Sequence, residues 1–188
     1  MQLRCLLVLL FLTTLLLTTV GAQDRAEAIV DRVYGAQIGL LGIWGYGEFP
    51  IHRQVVLRTD IGLDAGIRGG SQFYRTVLVL TPSIRLEPRW YYNLAKRSER
   101  GKPTNGNAAN YFSIPVIAHP GWFRITNEES ISVDRGLQLL PTWGIRRSLG
   151  NRLMYEVGAG LGYGLRWAEG RSKPTGGTSG WIRFRIGL

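Results

Sequence analysis

The stretch from Leu153 to Trp167 alternates without a break. Leu153, Tyr155, Val157, Ala159, Leu161, Tyr163, Leu165 and Trp167 are apolar or aromatic, and Met154, Glu156, Gly158, Gly160, Gly162, Gly164 and Arg166 fall between them. This period of two predicts one long β-strand with an apolar face. Its length exceeds the roughly 3–10 residues usual for strands and meets the roughly 9–11 that a tilted strand needs to cross a bilayer. The glycines on the second face cost conformational entropy in an ordinary strand. They predict a crowded concave side in a tightly curled sheet.

The pattern recurs along the chain. Residues 33–47 carry Tyr34, Ala36, Ile38, Leu40, Trp44 and Tyr46 on one face, although Leu41 and Ile43 weaken the other. Residues 55–67 alternate cleanly, with Arg58, Asp60 and Asp64 on the polar face. Residues 77–94 set Leu78, Leu80, Ile84, Leu86, Trp90 and Tyr92 against Ser83, Arg85, Glu87 and Arg89. Strands are further predicted at 110–118, 122–126, 131–146 and 181–188, with a tight turn at His119-Pro120-Gly121. Residues 96–109 and 168–180 read as long polar loops, the first of them mobile. Pro82, Pro88, Pro115, Pro120 and Pro141 predict bulges or kinks, because proline cannot donate to a ladder.

This gives eight strands, with the loops after strands 1, 3, 5 and 7 on one side and the tight turns and both termini on the other. That is the arrangement of bacterial outer-membrane barrels. The expected fold is therefore all-β: an eight-stranded antiparallel up-and-down transmembrane β-barrel after a cleaved N-terminal signal peptide. Arg4, the apolar run Leu6–Val20 and the small residues up to Ala22 mark residues 1–22 as the signal peptide and 23–188 as the barrel domain. Cys5 is the only cysteine, so the mature chain has no disulfide and no thiolate metal site.

Alternation does not say which face meets water; residue type does. The mean hydropathy of −0.01 is that of a soluble protein, but the two faces of a barrel cancel in such an average. The net charge of +10 comes from 20 arginines and only three lysines, Lys96, Lys102 and Lys173, all of which fall in the two long loops. The arginines recur along strands instead of forming one basic run, and an exported chain seldom meets nucleic acid, so that partner is excluded. Arginine suits enclosed ion pairs because its planar fork serves several acceptors. Arg58, Arg85, Arg89, Arg152, Arg166, Arg183 and Arg185 are therefore assigned to a lumen charge network with Asp60, Asp64, Glu87 and Glu156. Trp44, Tyr46, Trp90, Tyr92, Tyr163 and Trp167 are assigned to an outer aromatic girdle.

The segment Leu86-Glu87-Pro88-Arg89-Trp90-Tyr91-Tyr92-Asn93-Leu94, the loop with Gly106-Asn107, and Pro141-Thr142-Trp143-Gly144-Ile145-Arg146-Arg147 resemble a group of small, mostly uncharacterised Gram-negative outer-membrane β-barrel proteins. The resemblance implies that fold, an outer-membrane location and use of the barrel assembly machinery during biogenesis, and it implies no activity. The chain departs from the common pattern at its end, where Leu188 stands in place of a terminal phenylalanine.

Candidate chemistry is sparse. The two histidines, His52 and His119, are expected at opposite ends, His52 with the long loops and His119 in a periplasmic turn. No spacing joins either to a nucleophile or a metal set. The GAGLGYG run contains a G-x-G-x-x-G-like spacing, but the period of two around it argues against a nucleotide loop. Basic residues Lys96, Arg97, Arg100, Lys102, Arg171 and Lys173 in the loops suit contact with lipopolysaccharide phosphates. The reading is an outer-membrane protein with a charge-plugged lumen, a structural or adhesive role at the cell surface, no cofactor and no enzymatic activity. The alternatives are a narrow pore, a lipid-modifying barrel enzyme and a soluble periplasmic lipocalin-like barrel. No surface ligand is specified.

Overall fold

The computed structural model describes residues 29–68, 77–128, 134–150, 152–168 and 172–188. The expected signal peptide, the turn expected at 69–71 and the start of the strand expected at 131 lie outside them. The strands are β1 (Val33–Gly39), β2 (Gly42–His52), β3 (Val55–Arg68), β4 (Val77–Trp90), β5 (Asn110–Ser113), β6 (Val116–His119), β7 (Ile125–Thr126), β8 (Arg135–Leu139), β9 (Thr142–Leu149), β10 (Leu153–Trp167) and β11 (Thr175–Gly187). Every pairing is antiparallel. β1 to β4 pair in succession. β4 then takes β5, β6 and β7 one after another along its edge. β5 and β6 hand on to β9 and β8, both of which pair with β10. β10 pairs with β11 along its length, and β11 returns to β1 through Gln37–Gly39 against Gly187–Arg185. The sheet thus closes partly into a ring.

Several sequence expectations change here. Residues 33–47 are not one strand but a hairpin, folded at Leu40-Leu41. Directly opposed residues share a face. Ile38 pairs with Ile43 and faces out, while Gln37 pairs with Trp44 and faces in. The parity of the outward positions therefore flips at the turn, and Trp44 and Tyr46 lie inside the ring, 4% and 6% exposed, instead of in an outer girdle. β2 also runs through Pro50, where a loop was expected, with a register shift between Pro50 and His52. Conversely, 110–118 and 122–126 occupy one position in the ring. Between Ala118 and Ile125 the chain bulges against the span Leu80–Ile84 of β4, and Trp122 and Phe123 point outward from that bulge. The stretch His119-Pro120-Gly121 begins this bulge and is no turn. Proline carbonyls carry the ladder past their missing N–H groups: Leu140 N donates to Pro115 O at 3.0 Å and Ile114 N to Pro88 O at 3.2 Å.

The hairpin also moves a loop to the other end. Residues 91–109 lie with the two termini, not opposite them, and they are structured. They hold helix α1 (Leu94–Glu99) and a 3-10 turn at Asn105–Asn107. Asn107 takes φ 63°. Its side chain accepts from Asp31 N at 2.7 Å and donates to Asp31 O at 2.9 Å, tying the loop to the N-terminal segment. Val30, Tyr91, Leu94 and Ala109 close over Val56 and Tyr111 as an apolar cluster across that end of the ring.

Inside, glycine makes room for aromatic rings. A Cβ on Gly144 would strike the Tyr111 ring, whereas one on Gly177 would meet nothing within 4 Å. Forcing atoms into such a packed site costs about 1–3 kcal/mol. Gly144→Ala is therefore expected to lower unfolding free energy by about that amount, while Gly177→Ala leaves it unchanged. Denaturant titration followed by tryptophan fluorescence checks both.

Candidate functional site: a charged lumen closed at one end

Inward positions of the strands assemble one network. Among the described residues, six arginines (58, 85, 89, 146, 183 and 185) and four acids (Glu48, Asp60, Glu87 and Glu156) are no more than 2% exposed. The strand registers bring them together. Glu48 lies opposite Arg58, Arg58 opposite Glu87, Asp60 opposite Arg85, and Glu156 between Arg146 and Arg185.

Glu156 is the hub. Its carboxylate meets Arg58 at 3.0 Å, Arg89 at 3.1 Å, Arg146 at 3.2 Å and Arg183 at 3.4 Å. Glu87 receives paired hydrogen bonds from Arg183, at 3.1 and 2.8 Å, and from Arg89, at 3.0 and 3.2 Å. Such forked contacts are the strongest a guanidinium makes. Glu48 accepts from Arg146 at 2.6 Å, from the Tyr91 hydroxyl at 3.1 Å and from Asn107 Nδ2 at 2.8 Å. Burial pushes the Tyr91 pKa up, and the nearby Glu48 charge adds to it, so the hydroxyl keeps its proton and remains a donor.

Each guanidinium also lies over a ring. Arg58 and Arg146 cover Tyr46, Arg89 covers Tyr111, Arg185 covers Trp44, and Arg85 and Arg183 share Trp181, at 3.7–5.2 Å from the ring centroids. A desolvated cation over an aromatic face gains about 2 kcal/mol or more.

Of the residues the sequence assigned to the lumen, Arg58, Asp60, Arg85, Glu87, Arg89, Glu156, Arg183 and Arg185 join this network. Asp64 sits beside it, toward the end away from the termini, half-buried. Its Oδ1 accepts from Trp44 Nε1 at 2.7 Å and its Oδ2 lies 2.8 Å from His119 Nε2. Arg152 and Arg166 do not belong. Arg152 is exposed in the turn before β10, and Arg166 has inward parity but stands exposed at the rim, opposite Gly136 and Thr175. Sequence reasoning missed Glu48, Gln37 and the aromatic partners. Arg146, inside the strand expected at 131–146, was not assigned to the lumen either. Acids facing arginines in neighbouring strands were the available signal for Glu48 and Arg146, and the misplaced hairpin hid the first.

The histidines are at opposite ends, but reversed from expectation. His52 is exposed at the end of β2 beside the termini, and His119 faces the other end. Among the described residues no three His, Cys, Asp or Glu side chains gather to hold a metal ion. Among the described residues no helix is long and apolar enough to cross a membrane, which does not bear on crossing by strands.

No family model, curated protein or solved structure matches the chain.

Removing one partner of a buried ion pair costs about 3–5 kcal/mol, because the other charge stays buried. Glu156→Gln strips the hub of its charge and is expected to lose about that much stability. Arg152→Ala and Arg166→Ala, as exposed substitutions, are expected to stay within about 0.5 kcal/mol of the parent. Denaturation midpoints of the three variants, measured side by side, make the comparison.

Proposed function

We propose that the chain is an integral outer-membrane protein: an eight-stranded antiparallel barrel, exported by the signal peptide at residues 1–22, with a closed charged lumen and a structural or adhesive role at the cell surface. The observation that carries this reading is the inversion of the ring. Ile38, Ile61, Leu161 and Ile182 are 60–79% exposed on its outside, while ten ionised side chains are enclosed within it. Water would favour the opposite arrangement, since exposed apolar area costs about 25 cal/mol per Å² and enclosed charge several kcal/mol per ion. Hydrocarbon reverses the first cost, and the partial closure of the ladder goes most of the way to the rule that backbone groups in lipid must be paired.

Aromatic residues support the same reading. Trp90, Tyr92 and Phe112 pack together near the end that holds the termini, and Trp143 Nε1 donates to the Tyr92 hydroxyl at 3.0 Å. They form a belt suited to a membrane interface. Trp122, Phe123 and Tyr163 stand exposed toward the other end. With the termini in the periplasm, the basic cluster of Lys96, Arg97, Arg100 and Lys102 faces the phospholipid leaflet, and the loop bearing Lys173 is left to meet lipopolysaccharide. The barrel assembly machinery is the expected partner during biogenesis, and the reading involves no cofactor and no nucleic acid.

The apolar cluster across the terminal end and the arginine–carboxylate lattice above it argue against a pore. A lipid-acting enzyme would draw on the His119–Asp64 pair. Among the described residues lining the cavity beside that pair there is no serine, threonine or cysteine to serve as nucleophile.

The reading predicts that the chain fractionates with outer membranes, migrates faster on gels when unboiled, and gives no steady conductance in planar bilayers. Recovery in the soluble fraction without detergent, or ohmic channels, would count against it. Leu161→Arg puts a cation on the lipid-facing surface and is expected to cost up to about 2–4 kcal/mol of folding into vesicles, read as loss of the fast-migrating band. A soluble protein would tolerate the change.

A further inference from the structure

The ring has a notch. β10 covers one edge of β11 from Thr175 to Gly187, but β1 covers the other edge only at Arg185–Gly187. The edge from Thr175 to Phe184 has no strand partner among the described residues. On the far side of the hairpin, β2 pairs with β3 up to Asp64, and Ala65 N adds one bond to Leu41 O at 2.8 Å. The β1–β2 hairpin therefore stops part way up the wall. Its tip is made of Leu40 and Leu41, 78% and 48% exposed, where a turn in water would carry polar or glycine residues.

A cavity of about 180 Å³ opens at this notch. Its lining crosses the wall. Leu40, Leu41, Ile182 and Phe184 belong to the apolar outside, and Arg85, Arg185 and His119 to the inside. The charge balance of the lumen fails at this point. Asp60 is shared by Arg58, Arg85 and Arg185, at 2.6, 2.7 and 2.8 Å. Arg185 donates to Asp60 through Nη1, and its buried Nη2 has no partner; Arg85 donates through Nη1, and its buried Nε has none. Asp64, the nearest further acid, is engaged by Trp44 and His119. Arg146, deeper in the lumen, and Arg183, which also lines the cavity, leave Nε unpaired too, but both terminal nitrogens of each are bonded. A buried guanidinium N–H without an acceptor is costly, and an anion relieves that cost.

We infer that the notch is a side portal for an anionic amphiphile of the membrane, whose phosphate or carboxylate headgroup accepts hydrogen bonds from Arg85 and Arg185 while its acyl chain passes out between Leu40–Leu41 and Ile182–Phe184. The cavity is smaller than the roughly 300–1,000 Å³ of sites that enclose a whole drug-sized ligand, so it takes a headgroup and leaves the chain outside. The site deepens the membrane reading and rests on it for the source of the ligand.

The test uses the full chain, refolded in uncharged detergent, with a lysophosphatidate that carries a photoreactive group near the start of its acyl chain. Saturable labelling is expected on the peptides holding Leu40–Leu41 and Ile182–Phe184. Labelling spread evenly over the outer face would overturn the portal. Lysophosphatidylcholine, with the same chain and no net charge, is expected to compete at least about tenfold less well, as is inorganic phosphate, which lacks the chain. Equal competition by the first removes the anionic headgroup, and equal competition by the second reduces the site to one for a free ion; either overturns the proposal. Arg85→Gln with Arg185→Gln should weaken saturable binding about tenfold or more. If that pair fails to give the fast-migrating folded band, Leu40→Ser with Leu41→Ser, which leaves the charge network intact, must abolish the focused labelling, and its persistence would sink the idea. Fractionation of cells tests the membrane reading separately, so a chain that is a membrane barrel but binds no amphiphile is distinguishable from one that is no membrane protein.

Discussion

Glu156 meets four guanidinium groups, and the interior of the ring follows from that one contact set. The arginines it holds come from β3, β4, β9 and β11, four positions around the wall. Each must arrive at the right height, or a charge is left enclosed without a partner at a cost of several kcal/mol. A one-residue slip in any ladder would send the charged set outward and the apolar set inward. The network therefore acts as a check on register for strands that are far apart in sequence. Buried ion pairs are weak evidence for stability when compared with well-packed apolar residues. What this lattice contributes is a single permitted closure, with the aromatic faces of Tyr46, Tyr111, Trp44 and Trp181 filling the space between guanidinium groups.

Much of this was legible in the sequence because the signals were redundant. Period two in β10, β3 and β11 set both strand and face. The preference for arginine over lysine on the polar positions marked that face as enclosed, and eight of the assigned charged residues are in the network. The failures have local causes. Leu40-Leu41 carries no turn chemistry, so the hairpin there was invisible, and with it the inward placing of Trp44, Tyr46 and Glu48. The apolar Leu41 and Ile43 on the supposed polar face were the trace it left. His119-Pro120-Gly121 has turn chemistry but serves a bulge, because β4 continues unbroken past it and holds both flanks in one ladder. Arg152 and Arg166 were read from parity and proximity alone, and neither says how far a wall extends above a side chain.

The loop at 91–109 shows how composition can mislead about order. The lysines and arginines of 96–109 suggested a mobile polar segment, yet Asn107, Ala108 and Ala109 are buried, as is Leu94 just before it. The charged residues of α1 are outside, and one of them turns back to hold the loop: Arg97 Nε donates to Ala108 O at 2.8 Å. Four small or apolar residues were enough to fix the segment across the end of the ring, because the apolar ends of β3 and β5, Val56 and Tyr111, were waiting for cover.

The two ends of the lumen then differ in kind. At the covered end neutral donors join the arginines on Glu48: Tyr91 and Asn107 both give it hydrogen bonds, and Arg146 keeps both terminal nitrogens bonded. At the notched end three arginines share Asp60, and one terminal nitrogen of Arg185 is left over. The free terminal nitrogen coincides with a gap between β1 and β11 in the described wall, where the outside surface is apolar. An enclosed guanidinium nitrogen without an acceptor and an opening toward hydrocarbon are each costly alone. Together they describe a position where a negatively charged group attached to a hydrocarbon chain would relieve both.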